Sequence, residues 1–136
     1  MKPLKPLIIS LLILNFSFAD TANDYLNSLK NEIKKENPNF KDFDIKEGEK
    51  IFTSKHIGKK GKEISCTTCH GDNLQNSGEN IFTGKVIEPL SQKANKNRFT
   101  DIETIEKWLK RNFNDVYNRE GSLVEKGNVM TYILSK

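Results

Sequence analysis

The run Cys66-Thr67-Thr68-Cys69-His70 holds both cysteines of the chain and one of its two histidines. Two thiols three residues apart lie on one side of a helical turn, and the next residue can face the same ligand. This C-x-x-C-H pattern suits covalent attachment of a haem. Each cysteine sulfur bonds a vinyl group, and His70 turns its imidazole onto the iron as proximal ligand. Three other chemistries share parts of the motif. A zinc site needs more ligands, and His56 is the only other histidine. A thioredoxin-like dithiol belongs at a helix start in an α/β fold, and strand signals here are sparse. A plain disulfide uses the cysteines and leaves His70 without a role. One covalent haem c on Cys66, Cys69 and His70 accounts for all three residues.

The compartment bears on how the thiols are read. Residues 1–19, MKPLKPLIISLLILNFSFA, open with Lys2 and Lys5 and run apolar from Leu7 to Phe18. Ser17 and Ala19 are the small residues expected before a cleavage point. This is the layout of a secretory signal peptide, and its apolar run is shorter than the roughly 20 residues that span a bilayer. The expectation is export to the periplasm, with residues 20–136 forming one soluble monohaem cytochrome c domain. A chain of 136 residues with 35% hydrophobic content supports a single domain. Its formal net charge of +4 includes Lys2 and Lys5, so the balance is no argument for nucleic acid.

The remaining pattern predicts a small all-α fold with long loops. Leu26, Leu29 and Ile33 mark a helix over 24–36 that ends at Asn37-Pro38. A second runs over about 44–54. Thr100-x-x-Glu103 and Ser122-x-x-Glu125 read as capping boxes for a third helix, over 101–113, and a fourth. The apolar content is thin for a core of this length, and a haem would fill the middle. The chain without haem is therefore expected to fold poorly. Gly48-x-x-x-Phe52 and Tyr132 resemble the helix crossing of class I c-type cytochromes, where a missing side chain permits close approach. Pro89-Leu90 resembles the proline loop of that class, whose backbone carbonyl accepts the proximal histidine Nδ1–H. An ordinary turn proline is the alternative.

Three residues compete for the other face of the iron. Met130 lies in an apolar stripe with Val129, Ile133 and Leu134, which suits core packing. His56 precedes the haem motif and would have to cross the ring. In the third helix Asn112 falls on the apolar arc of Ile105, Trp108 and Leu109, whereas Asn114 falls among Lys107 and Lys110. A buried amide without partners costs on the order of 1–3 kcal/mol. A loop carbonyl or an iron could each satisfy Asn112.

The segments SCTTCHG, TGKVIEPL and RFTDIETIEKWLKRNFN together resemble the Sphaeroides haem protein family, from about Gly48 to the C-terminus. These are small monohaem cytochromes c with an asparagine as distal ligand. That asparagine follows Arg in W-L-x-R-N, which places it at Asn112. The resemblance also implies that Trp108 packs on the haem. It implies an electron carrier that exchanges electrons with other redox cytochromes and binds diatomic gases (O2, NO, CO); it does not establish enzymatic turnover. An amide oxygen is a hard, weak ligand that suits ferric iron, so reduction should release it; a thioether prefers ferrous iron. A plain low-spin electron carrier using Met130 is the alternative. In the family a disulfide pins the loop after the asparagine. Phe113 and Gly121 stand at those places here, which implies a more mobile distal loop. Lys50, Lys55, Lys59, Lys60 and Lys62, with Lys93, Lys96 and Arg98, form basic groups suited to steering an acidic redox partner.

Overall fold

The computed structural model describes residues 19–136. The signal-peptide reading falls, apart from Ala19, outside the described residues. Helix α1 spans Ala19–Glu36 and α2 Ile45–Thr53. A two-residue hairpin pairs β1 (His56–Ile57) with β2 (Glu63–Ile64), ahead of the short helix α3 (Cys66–His70). A second antiparallel pair joins β3 (Gly78–Glu79) to β4 (Val86–Ile87), and the chain closes with α4 (Ile102–Tyr117) and α5 (Leu123–Leu134). The fold is all-α apart from these two small pairs. No helix among the described residues is long and apolar enough to cross a membrane.

Sequence spacing explains most of these elements. Asp44 caps α2 by accepting from the Lys46 and Glu47 amides at 2.7 and 3.1 Å. Ser122 and Glu125 form the expected reciprocal capping box on α5. The third helix departs from expectation at both ends. Its N-cap is Asp101, whose carboxylate accepts from the Thr104 amide at 2.7 Å, so Thr100 lies one residue outside. An aspartate so placed satisfies an orphan amide and its charge complements the helix dipole. At the other end α4 continues four residues past Phe113. Asn118 stops it in a left-handed conformation that asparagine tolerates. The buried stripe of α1 also differs. It runs through Ala22, Tyr25, Leu29 and Ile33, and Leu26 is only partly buried.

The crossing of α2 on α5 organises the core. A side chain at Gly48 would overlap the Asn128 carbonyl oxygen of α5, so only glycine permits this approach. Phe52, one turn on, packs its ring against Tyr132 at 5.4 Å. The Asn128 side chain accepts from the Asp44 amide at 2.8 Å and ties α5 to the start of α2. The core then includes Met130, which is completely buried, together with Val129, Ile105, Leu109 and Phe113. Beside it lies a cavity of about 660 Å³. That size is typical of small-molecule and cofactor sites, roughly 300–1,000 Å³. The thin apolar content noted in the sequence is thus matched by a cavity beside the core.

Candidate haem site

Helix α3 is built to present its three reactive groups. Ser65 starts it: the Ser65 amide donates to Thr68 Oγ1 at 2.9 Å and the Ser65 hydroxyl bonds Thr67 Oγ1 at 2.6 Å. Gly71 ends it at φ 73°, with its N–H on the Thr67 carbonyl at 2.8 Å, a conformation that favours glycine. Cys66, Cys69 and His70 all line the cavity. The two sulfurs are not joined. Burial, with the neighbouring Cys69, pushes the Cys66 thiol up to about 12. Burial, with the Arg98 charge, pushes the His70 imidazole down to about 4. His70 is therefore neutral at ordinary pH, the form in which an imidazole can ligate a metal. The Phe52 ring lies 6.0 Å from it.

Helix α4 supplies another part of the lining, including Trp108, Leu109 and Asn112. Asn112 is partly buried and its amide makes no hydrogen bond among the described residues. Asn114, two residues on, bonds the Lys110 carbonyl at 3.1 Å. Met130 and His56 do not line the cavity. Met130 is sealed in the core, and the His56 ring stacks on Tyr117 at 4.2 Å. Trp108 contributes to the lining but is 45% exposed, with the Arg111 guanidinium 5.3 Å from its ring.

The proline loop differs in detail from expectation. The Pro89 carbonyl accepts from Arg98 Nε at 2.8 Å, and among the described residues it receives no hydrogen bond from His70. A carbonyl oxygen has two lone pairs, so the Arg98 bond leaves one for an imidazole N–H. Arg98, grouped above with surface cations, is partly buried in the cavity wall.

A family model described as "Domain of unknown function (DUF1924)" matches residues 38–133. Cytochrome c'' of Methylophilus methylotrophus is 38% identical over 100 residues, covering 74% of this chain and 69% of that protein. The cytochrome c-type protein SHP of Cereibacter sphaeroides is 39% identical over 93 residues, covering 68% and 71%. The chain belongs to this family of c-type cytochromes. Solved structures agree. Oxidised cytochrome c'' superposes with a TM-score of 0.76 at 34% identity, covering 86% of this chain and 95% of that one. Oxidised SHP, described as an oxygen-binding cytochrome c, gives 0.69 at 32%, covering 88% and 97%. The protein is thus a monohaem cytochrome c with one covalently attached haem c, as the sequence led us to expect. The cavity fits that group: a thiol pair, a neutral imidazole and largely apolar surroundings meet in one space of suitable size.

The loop after α4 of this cytochrome is held by contacts other than a disulfide. Phe113 and Gly121 touch directly: a Cβ on Gly121 would lie 2.7 Å from a Phe113 ring carbon. Arg119 grips both carboxylate oxygens of Glu125, at 2.7 and 2.6 Å. Lys126, only 2% exposed, donates to Glu106 of α4 at 2.5 Å and to Glu120 of the loop at 2.9 Å. Tyr25 of α1 donates to the other Glu106 oxygen at 2.6 Å. Burial alone would raise the Glu106 pKa, but the Lys126 and Tyr25 bonds and the Lys126 charge hold it below the ordinary carboxylate value. Sequence reading missed this cluster because its members lie far apart in the chain. The only local signal was a lysine inside the apolar α5.

Proposed function

We propose that this cytochrome is exported to the periplasm and carries electrons, and that reduction opens its distal site to a diatomic gas such as O2, NO or CO. In this reading Cys66 and Cys69 form the thioether links, His70 is the proximal ligand and Asn112 the distal one. The haem iron supplies one-electron redox chemistry and an axial position for a small ligand. His70 stays neutral because burial and Arg98 disfavour its protonation, so its ring nitrogen is available without loss of a proton. Asn112 offers an amide oxygen, a hard donor that holds ferric iron better than ferrous iron. Trp108 and Leu109, on the same helix, line the same cavity. The Pro89 carbonyl, fixed by Arg98, would orient the His70 ring through Nδ1–H.

The observation that carries this reading is the Asn112 side-chain amide at the cavity, unpaired among the described residues, with Met130 and His56 both outside it. The names of the relatives are consistent with it. SHP is described as oxygen binding, and the solution structure of cytochrome c'' is described in terms of haem-ligand detachment. Electron delivery by another cytochrome fits the lysines ahead of the haem motif; Lys60, for instance, lies 4.3 Å over the ring of Phe82, a cavity residue.

Visible spectra of ferric and ferrous protein test the assignment. The ferrous protein should be high-spin and bind CO rapidly. Asn112→Ala should keep the fold, change the ferric axial ligation and abolish the redox control of gas access. Met130→Leu should leave the iron spectrum unchanged. A methionine-to-iron charge-transfer band that disappears in Met130→Leu, with Asn112→Ala silent, would make the protein a plain low-spin carrier.

A further inference from the structure

Helix α3 carries His70 at its last position and is only five residues long. A helix of little more than one turn has no stability of its own. The direction in which His70 points therefore depends on what bears on the end of α3. Gly71 stops the helix, and residues 71–77 turn the chain back on itself. The Asn76 amide donates to the Asn73 carbonyl at 3.0 Å, and Asn73 Oδ1 accepts from the Gln75 amide at 3.0 Å. Strand β3 then begins against the segment the chain has just left. A Cβ on Gly78 would overlap the Cys69 carbonyl oxygen and lie 3.0 Å from the His70 Cα. Both are main-chain atoms, so no side chain can swing aside to make room.

The β3–β4 hairpin is held in this place from both sides. Ahead of it, Leu74 is buried and its carbonyl accepts from the Ser91 amide at 2.9 Å. Behind it, Gly78 pairs with Ile87 of β4, a cavity residue, and the chain runs on into buried Leu90. A ladder this short is not stable alone, so these anchors keep β3 on α3. The two glycines of the hairpin serve different needs. Gly84 in the turn sits at φ 67° with nothing within 4 Å of its Cβ position. Gly78 has no positive φ, so its need is space alone.

We infer that Gly78 is a positioning residue for the proximal ligand: β3 bears on the Cys69 carbonyl and sets the orientation in which α3 presents His70 to the iron. Close-packed backbone transmits a displacement, and one added carbon at such a contact forces a shift. The contact acts on the main chain of the ligand, whereas a hydrogen bond at Nδ1 acts on its ring. The inference rests on the reading of His70 as proximal ligand and is independent of the group on the other face.

Proton NMR of the cyanide adduct of the ferric holoprotein tests it. Cyanide is cylindrically symmetric and takes the distal position, so the order and spread of the haem-methyl resonances report the orientation of the imidazole plane. Gly78→Ala should attach haem and change that order and spread. Gly84→Ala should melt at lower temperature, because alanine is strained at positive φ, and keep the native methyl pattern. A native pattern in Gly78→Ala would overturn the inference, since the hairpin would have yielded and α3 stayed. The same change of pattern in Gly84→Ala would also overturn it, by tracing the effect to general loosening of the hairpin. Should Gly78→Ala take up no haem, Leu74→Ala decides. Leu74 does not line the cavity, and releasing this anchor beside β3 should change the methyl pattern; a native pattern would overturn the inference. Absence of hyperfine-shifted imidazole resonances from the native adduct would remove the His70 assignment and the inference together. Their presence, with an unmoved pattern in Gly78→Ala, would remove the inference alone.

Discussion

Lys126→Met removes the cation that joins α4, α5 and the distal loop, and its cost can be worked from the geometry. Methionine keeps most of the buried stem, so little packing is lost. The Lys126 side chain is 3% exposed, whereas those of Glu120 and Glu106 are 46% and 40% exposed. Glu120 can return to water, and its pair with Lys126 contributes about 0–1 kcal/mol. Glu106 keeps the Tyr25 hydroxyl but loses a charged hydrogen bond at 2.5 Å, of the kind that contributes about 1.5–3 kcal/mol. Part of this is offset because a buried ammonium no longer has to be desolvated. The net expectation is a loss of about 2 kcal/mol, or a melting point lower by about 8 °C for a domain of this size. Urea unfolding of the holoprotein checks it. A double-mutant cycle with Glu106→Gln should give a coupling of about 1–2 kcal/mol, because removing both charges leaves neither stranded. An unchanged midpoint, or additive single and double variants, would refute the reasoning that this cluster holds α4 in place.

Gly48→Ala should destabilise by at least about 1–3 kcal/mol, since the new methyl meets backbone of α5 and can be accommodated only by separating the helices; urea midpoints measure it. Arg119 draws the Glu125 carboxyl down to about 2 from its ordinary 4.5. A folded value below the unfolded one means this contribution is present above about pH 4.5 and is lost as pH falls toward 2. After screening it is about 1 kcal/mol. Acid unfolding of Glu125→Gln should therefore differ from native protein above pH 4.5 and converge with it near pH 2.

Local chemistry was legible in the chain itself. The haem motif, the Ser122 cap, and the Gly48–Phe52–Tyr132 crossing rest on neighbours within a turn or on a spacing that repeats along one element. The Asp101 cap was missed by one residue, because Thr100 offers a competing motif and only backbone geometry chooses between adjacent caps. Helical periodicity put Asn112 on the core-facing arc, but a wheel cannot distinguish a side chain that meets packed neighbours from one that borders a cavity. That distinction, and the exclusion of Met130 and His56 from the cavity, needed all the helices placed together. The Tyr25–Glu106–Lys126 cluster and the turning of Arg98 onto the Pro89 and Glu88 carbonyls were likewise decided only by tertiary structure. Charged side chains read as solvated wherever the sequence is considered locally. Burial becomes tolerable only when partners distant in the chain converge, and no local pattern encodes that convergence.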